Sequence, residues 1–403
     1  MQRCGGVVVA LLVLPLLCLS SACSDGAGPE LPSTPPAPAS ELPQEPGFTP
    51  SPTTSTEQEP NLAAPQSGGE DGQAVVAEPG TLRQMADEKG MLLGTYFTPE
   101  CFPMQKWREV VAREFSAAML YRCMAWVDVE PVQGGFDFTS ADEQVQFALA
   151  NNMTVCSHLI CPTESQGNPG WLTDSRLSRD GLEEMLRVHI STVLNRYRGK
   201  VGLWLVVEEA YLKGHTDPDF LYRKFGYDYL ELVYRFARDA DPSAKLLYND
   251  YDNHTAGGAT TGLSRQVVQR LKDEGLIDGV GLEMHLDARE PPGKQDMVAT
   301  MQSYGLPVYV TELDIDMSGV PGAREARYAL QSEMYRDVFE ACLESGVCRG
   351  FMVWGIGDRY SWLERASSEA DPTLFDDELN PKPAYFAILE AAGWTSGSGD
   401  CLG

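Results

Sequence analysis

Two glutamates, Glu209 and Glu312, each follow a short apolar run, VGLWLVV at residues 201–207 and PVYVT at residues 307–311. Apolar runs without polar alternation are typical of strands buried on both faces, as in a parallel sheet. Two carboxylates where such strands end could cleave a glycosidic bond, since one can protonate the leaving oxygen while the other attacks the sugar carbon. Taken alone, either glutamate could equally be a solvated acid at a strand end.

Runs of strand length recur along the rest of the chain. They cover residues 91–97, 117–121, 153–160, 201–207, 245–248, 280–284, 307–310 and 350–354. Amphipathic stretches separate them, such as 140–150, with Ser140 expected as its cap, and 180–197, whose apolar residues recur near the helical period. This alternation predicts an α/β fold, a closed (β/α)8 TIM barrel. An open doubly wound sheet is the alternative, although no GxGxxG follows the first strand.

The first 23 residues indicate export. Arg3 is followed by an apolar stretch at 7–19, which is too short to span a bilayer comfortably and fits a signal-peptide core. The small residues before Cys23 resemble a bacterial lipoprotein cleavage site, although the usual leucine stands one position further back, at Leu19. We expect Cys23 to carry a lipid anchor and the protein to face the periplasm or cell surface, with ordinary secretion as the alternative.

Composition then divides the rest of the chain. Residues 24–78 are dominated by Pro, Ser, Thr, Glu, Gln and Gly, and such a segment buries too little apolar surface to fold, so it is expected to be a disordered linker. Residues 79–394 carry aromatic and aliphatic residues throughout and are expected to form one barrel domain, followed by a tail at 395–403.

The charge and the cysteines exclude several classes of function. With 31 Lys and Arg against 58 Asp and Glu, the net charge is −27, and no basic cluster interrupts it. We therefore expect no nucleic-acid partner. We also expect a monomer that contacts the membrane only through lipid. Among ten cysteines there is no CxxC pair and no Cys/His cluster, so neither a metal nor a cofactor is predicted. Cys342 and Cys348 are the candidate disulfide of an exported protein, and the pairing of the other cysteines stays open. Those others in the exported domain are Cys101, Cys123, Cys156, Cys161 and Cys401.

Six ordered segments resemble glycoside hydrolase family 10, the xylanase family. WLVVEEA at 204–210 resembles the acid/base segment WDVVNEA of that family, and VTELD at 310–314 resembles its nucleophile segment ITELD. Four further regions agree in order and spacing, namely residues 136–142, 248–251, 278–286 and the stretches between 353 and 385. The resemblance covers essentially the whole domain and includes the Cys342 and Cys348 pair, which many members join as a disulfide.

The resemblance implies an endo-1,4-β-xylanase-like enzyme that acts on a polysaccharide or oligosaccharide by retaining double displacement. Glu312 would be the nucleophile and Glu209 the general acid and base, with their carboxyls about 5 Å apart. His285 would hydrogen-bond Glu312 and favour its charged form. Trp354 and Trp362 would form an aromatic floor and wall for the sugar. The segment at 248–251 adds Asn249 and Tyr251 as substrate contacts.

Several sugar-contacting positions depart from the family pattern. The Glu, Asn and Lys of its TPENxMKW segment correspond to Tyr121, Arg122 and Ala125 here. In its HTLVWH segment the first histidine is kept as His158, while the Trp-His pair is replaced by Pro162 and Thr163.

Two amides of the family have become acids. The asparagine before the catalytic glutamate, which binds the sugar 2-hydroxyl, is Glu208, and the glutamine of the QxH segment is Glu283. A buried acid at 208 needs a cation. We expect a rebuilt sugar-binding site in which Arg122 and Glu208 either pair or divide the hydroxyls and acidic groups of the substrate between them, the alternative being drift in a weakened enzyme.

Three functions therefore stay open at this point. The chain could be a retaining β-glycosidase on xylan or a related glycan, a hydrolase or transglycosylase on a different sugar, or a noncatalytic glycan-binding lipoprotein. The joint retention of Glu209, Glu312 and His285 argues against the third, because a receptor needs no pair of aligned carboxylates.

Overall fold

A computed structural model describes residues 80–97, 100–161, 167–173, 176–210, 220–365, 367 and 369–394. The signal peptide with Cys23, the linker, Pro162, Thr163, Cys401 and the tail lie outside the described residues, so those predictions are not addressed by it.

Eight parallel strands follow one another in chain order and close into a barrel, with the last strand paired to the first. They are β1 (Leu92–Phe97), β2 (Ala117–Leu120), β3 (Thr154–Ile160), β4 (Val201–Glu208), β5 (Lys245–Tyr251), β6 (Gly279–Asp287), β7 (Val308–Asp316) and β8 (Cys348–Val353). Each apolar run of the sequence overlaps one of these strands. The predicted TIM barrel is confirmed, and the open sheet is excluded.

Helices connect the strands and cover the outside of the barrel. In the described part of the chain they are α1 (Leu82–Lys89), α2 (Gln105–Glu114), α3 (Trp126–Val129), α4 (Thr139–Ala150), α5 (Gly170–Thr173), α6 (Arg179–Tyr197), α7 (Phe220–Phe225), α8 (Asp228–Ala240), α9 (Thr261–Asp273), α10 (Lys294–Ser303), α11 (Arg324–Ser345) and α12 (Pro383–Ala391). None of these helices is both long enough and apolar enough to cross a bilayer.

The starts of two helices show how local chemistry sets their bounds. Ser178 caps α6 by accepting a hydrogen bond from the backbone N–H of Gly181. Ser140, which we expected to cap α4, instead lies inside its first turn. The preceding Asp137 takes over that task, since its carboxylate accepts from the backbone N–H of Thr139 at 2.9 Å.

The barrel has an inner and an outer core because successive side chains of a strand point to opposite sides. The inner core is a small cluster of residues from alternate strand positions: Ala117, Met119, Cys156, Leu203, Leu205, Leu247 and Met352. Their strand neighbours, such as Ala118, Trp204 and Val206, pack into the larger outer cluster with the helices. Burial on both faces explains why the strands show no polar alternation.

Strands β5, β6 and β7 extend beyond their apolar runs into polar sequence. Their paired positions there are Asn249 with Gly281, Glu283 with Glu312, and His285 with Asp314. Glu312 therefore lies within β7 rather than at its end, whereas Glu209 directly follows β4. The polar side chains bond to one another across the strands, so these strand ends need no apolar residues to remain paired.

Cysteines of the domain serve packing and cross-linking. Cys342 and Cys348, the pair that the sequence predicts, form a disulfide that joins the end of α11 to the start of β8, with a Cα–Cα distance of 5.1 Å. Burial raises the pKa of the Cys123 and Cys156 thiols to about 12, which makes them poor nucleophiles at neutral pH.

Candidate active site

Glu312 is buried in β7, and each of its carboxylate oxygens faces a histidine. Nε2 of His285 lies 3.4 Å from Oε2, and Nε2 of His158 lies 3.6 Å from Oε1. The Asn249 amide also donates to Oε1, at 3.1 Å. A carboxylate contacted from both sides is fixed in orientation, which is what attack on a substrate carbon requires.

His285 is the middle member of a chain of polar contacts that begins at Glu312. Its Nδ1 lies 2.8 Å from Oδ1 of Asp314, and Oδ2 of Asp314 accepts a 2.8 Å hydrogen bond from the Trp362 indole. Burial lowers the pKa of His285, but the charges and hydrogen bonds of Asp314 and Glu312 outweigh it and raise the pKa to about 10. His285 is therefore an imidazolium at neutral pH, and it places a positive charge 3.4 Å from Oε2 of Glu312.

Asn249 lies on β5, separated by β6 from Glu312 on β7, and both ends of its amide have protein partners. Oδ1 accepts from the Thr311 hydroxyl at 2.7 Å, while Nδ2 donates to Glu312 and to Glu283 at 2.6 Å. Only glycine fits at position 281, because a Cβ there would come 2.0 Å from Oδ1 of Asn249. The amide thus lies between two acids and is hydrogen-bonded to both. Its predicted contact with substrate stays a prediction.

Glu283 is a buried acid whose surroundings favour its neutral form. Burial raises its pKa well above the ordinary value, as do the negative charges of its neighbours Glu312, Glu209, Glu208 and Asp250. A neutral carboxylic acid both donates and accepts hydrogen bonds, as an amide does. Glu283 can therefore occupy the position where the family resemblance places a glutamine without adding a charge beside Glu312.

Glu208 pairs with His158, not with Arg122. Its Oε2 is hydrogen-bonded to Nδ1 of His158, and both side chains are buried, whereas Arg122 is exposed and contributes no ion pair to Glu208 among the described residues. Strands β3 and β4 are adjacent, so a cation from β3 reaches Glu208 more directly than one from the turn after β2. The predicted Arg122–Glu208 pair was wrong.

Glu209 adopts a left-handed backbone with φ of 45°, which non-glycine residues rarely adopt. Such conformations cost about 1–3 kcal/mol and persist where the surroundings impose them. Here the Glu209 N–H donates to the backbone oxygen of Asn249 at 3.1 Å, which fixes the turn directly after β4. The charge of Glu209 raises the pKa of Glu283 and of His158, so its carboxylate shares their environment.

Aromatic rings line the same end of the barrel. Trp354 stacks on Tyr96 with ring centroids 4.4 Å apart, and the ring of Tyr121 lies 4.9 Å from that of His158. Trp362 is 49 % exposed, and its ring lies 5.3 Å from that of His285. A half-buried and an exposed indole beside the carboxylates supply the apolar faces on which a sugar ring can stack. Tyr251, at the end of β5, is half-buried.

Three contributing residues were not among the predicted site residues. Asp314 holds His285, Thr311 orients Asn249, and Tyr96 supports Trp354. Asp314 could have been found, because it stands two positions after Glu312 and the strand period places both side chains on one side. The other two carry no signal of their own in the sequence.

Among the described residues, the same side chains come nearest to forming a set of metal ligands. Two groups bring their donor atoms within 4.8 Å of one another, namely His158, Glu208 and Glu312, and Glu283, His285 and Glu312. Both histidines already have Nδ1 bonded to a carboxylate and a pKa above the ordinary value. Since a metal needs the neutral imidazole, we assign no metal ligands here.

Comparisons with known proteins agree with this geometry. The family model described as glycosyl hydrolase family 10 matches residues 81–391. An endo-1,4-beta-xylanase B of Thermotoga neapolitana is 35% identical over 293 residues, which cover 71% of this chain and 83% of that protein. The crystal structure of native xylanase 10B from Thermotoga maritima superposes with a TM-score of 0.73 at 30% identity, covering 78% of this chain and 98% of that one. Xylanase 10B from Thermotoga petrophila, solved in complex with xylobiose, gives 0.72 at 29% identity, covering 79% and 99%.

Proposed function

The chain belongs to glycosyl hydrolase family 10, and from that premise we propose that it cleaves internal β-1,4 bonds of xylan with retention of configuration, through a glycosyl-enzyme on Glu312. The observation that carries the proposal is the Glu312 carboxylate, which is buried and contacted at both oxygens. A second acid, Glu209, acts electrostatically on the same neighbours, Glu283 and His158. Related β-linked glycans are the wider substrate class.

In the first step Glu312 attacks the anomeric carbon while the glycosidic bond to the leaving oxygen breaks. Glu209 gives its proton to that oxygen, so the departing sugar leaves as a neutral alcohol. The imidazolium of His285 and the Asn249 amide keep Glu312 in line with the carbon it attacks. The product of this step is an ester between Glu312 and the sugar.

In the second step water enters where the leaving group stood. Glu209, now a carboxylate, takes a proton from the water as its oxygen attacks the anomeric carbon, and the ester bond to Glu312 breaks. Two inversions at one carbon restore the original β configuration. The raised pKa of Glu283 favours its neutral form, which adds no negative charge beside the ester.

Xylan as the substrate is supported by the names of the relatives, which are xylanases, one of them solved with xylobiose. The exposed Trp362 and the half-buried Trp354 are the surfaces on which we propose that the sugar rings stack. We further propose that His158, Tyr121 and the Glu208 pair bound the sugar where the family resemblance places its polar contacts.

Product stereochemistry tests the proposal on the domain of residues 80–394. Proton NMR of xylan or xylo-oligosaccharide hydrolysis is expected to show the β anomer first, with the α anomer appearing only at the rate of mutarotation. A panel of β-glucan, mannan and aryl β-glycosides serves as the comparison. Early appearance of the α anomer would contradict retention, and turnover of another glycan but not xylan would contradict the substrate.

We also propose that the enzyme is exported and anchored through lipid at Cys23, with residues 24–78 as the tether. The proposal rests on the apolar stretch at 7–19 and the small residues before Cys23. Full-length protein expressed in a bacterium is expected to incorporate labelled palmitate, and Cys23→Ser is expected to abolish the label. Label that survives this substitution would place the lipid elsewhere.

A further inference from the structure

We propose that His158 and Glu208 form a second carboxylate–imidazole pair that positions Oε1 of Glu312, opposite the His285–Asp314 pair at Oε2. The inference rests on the proposed function, since it assigns positioning residues to the nucleophile of that reaction. It gives Glu208 a role other than that of the asparagine found at its place in the family pattern.

The two pairs have the same construction on either side of Glu312. In each, Nδ1 of a histidine is bonded to a carboxylate, and Nε2 of the same ring points at one oxygen of Glu312. The Nε2 to oxygen distances are 3.6 Å for His158 and 3.4 Å for His285. They come from opposite directions around the barrel, because His158 lies on β3 and His285 lies on β6.

Burial distinguishes the new pair from a surface contact. His158 and Glu208 are 4% and 5% exposed, and Nε2 of His158 has no hydrogen-bond partner among the described residues. A buried ring nitrogen without a partner costs free energy unless it is used. It lies 3.6 Å from Oε1 of Glu312, so a small shift, or a sugar hydroxyl placed between them, completes the contact.

The charges around His158 favour its protonated form. Burial lowers the pKa of His158. The charge and hydrogen bond of Glu208, together with the smaller effects of the charges of Glu312 and Glu209, raise this pKa above the ordinary value. The titratable groups that face His158 and Glu312 from the surrounding strands are Glu208, Glu209, Glu283, His285, Tyr96 and Tyr121. An asparagine at 208 would supply no such charge. The protonated form of His158 therefore depends on the acid at position 208.

The pair has a specific consequence for the second step of the reaction. When the ester breaks, negative charge returns to Glu312, and a cation at Oε1 stabilises that charge as it develops. Removing the cation therefore slows hydrolysis of the glycosyl-enzyme more than its formation. A residue that merely supports the fold would not divide the two steps in this way.

His158→Gln is the test variant, measured with an activated aryl β-xyloside in the domain of residues 80–394. We expect kcat to fall by about 10²-fold, KM to fall with it, and the glycosyl-enzyme to accumulate as a mass-shifted species. We also expect the acid limb of the kcat/KM profile to move up by about 1 pH unit or more, because a carboxylate without its cation protonates at higher pH. Adding Glu208→Gln is expected to reverse part of that shift, since it removes the unpaired charge.

His189→Gln is the matched control. His189 and Glu130 form another buried histidine–carboxylate pair, with Nδ1 and Oε2 2.9 Å apart, at α3 and α6 rather than at Glu312. It is expected to change the thermal unfolding midpoint but neither the acid limb nor the accumulation of intermediate. An equal shift of the acid limb in both variants would overturn the proposal.

A measurement on the unaltered protein keeps the proposal testable if His158→Gln does not fold. Nitrogen-15 spectra of the histidine rings are expected to show both nitrogens of His158 protonated at pH 7, and a neutral His158 ring would overturn the pair. The failures are separable. An inactive wild-type domain contradicts the proposed function, while an active domain with an unshifted His158→Gln profile contradicts only the pair.

Discussion

Glu312→Ala is expected to lower kcat on xylan by about 10⁵- to 10⁶-fold, the scale seen when a covalent nucleophile is removed. The loss is large because no other described carboxylate can take its place. Glu283 has a raised pKa and is hydrogen-bonded to Asn249, and Asp314 is hydrogen-bonded to His285 and Trp362. Binding of xylo-oligosaccharides should survive, since the aromatic surfaces remain.

Two measurements check this expectation. A fluoroglycoside that traps the glycosyl-enzyme should label the wild-type domain on the peptide containing Glu312, and calorimetry should show ligand binding by the inactive variant. Glu274→Ala, which alters an exposed glutamate at the end of α9, is the control for folding and assay. Label on Glu209 or Glu283 instead would show that the nucleophile has been misassigned.

Glu209→Ala is expected to separate substrates by the acidity of their leaving groups. For xylan, whose leaving alcohol needs a proton, kcat/KM should fall by about 10²- to 10⁴-fold, the usual contribution of general acid catalysis. For a dinitrophenyl β-xyloside, which leaves without protonation, kcat/KM should change little. Its kcat should still fall, because the second step loses the base that activates water.

Parallel assays of the two substrates provide the test, with added azide as a second readout. Azide needs no base and fits the space that the glutamate side chain leaves, so it should restore kcat and give the β-glycosyl azide. Losses of equal size on both substrates, or no response to azide, would remove Glu209 from the acid and base role.

The barrel could be predicted from sequence because burial on both faces leaves a strong signal. The runs at 201–207 and 307–310 carry no charged residue at any position, and both overlap strands of the barrel. The strand ends beyond them were missed for the opposite reason. Asn249 and Glu312 stand beyond the runs at 245–248 and 307–310, yet they remain in the sheet, where the Asn249 amide donates a hydrogen bond to Glu312.

The proposed catalytic residues Glu209, Glu312 and His285 could be selected from sequence, and their roles stay a proposal, but the partner of Glu208 could not be found. Sequence shows that a buried acid needs a cation, and Arg122 carries a permanent charge. It does not show that His158 on the adjacent strand β3 becomes charged, since that depends on burial beside Glu208 and Glu312. A histidine cannot be recognised as the partner until the structure shows which neighbours change its pKa.

The exposed indole of Trp362 is connected to Glu312 through Asp314 and His285. Asp314 is fully buried, with one oxygen on that indole and the other on His285, so it cannot rotate without leaving an oxygen unbonded where water is excluded. If sugar stacks on the exposed ring as we propose, that contact is connected to the imidazolium beside Glu312 through two hydrogen bonds. Binding energy at Trp362 could then help to position the nucleophile, which is how contacts away from the reacting carbon are used in the transition state.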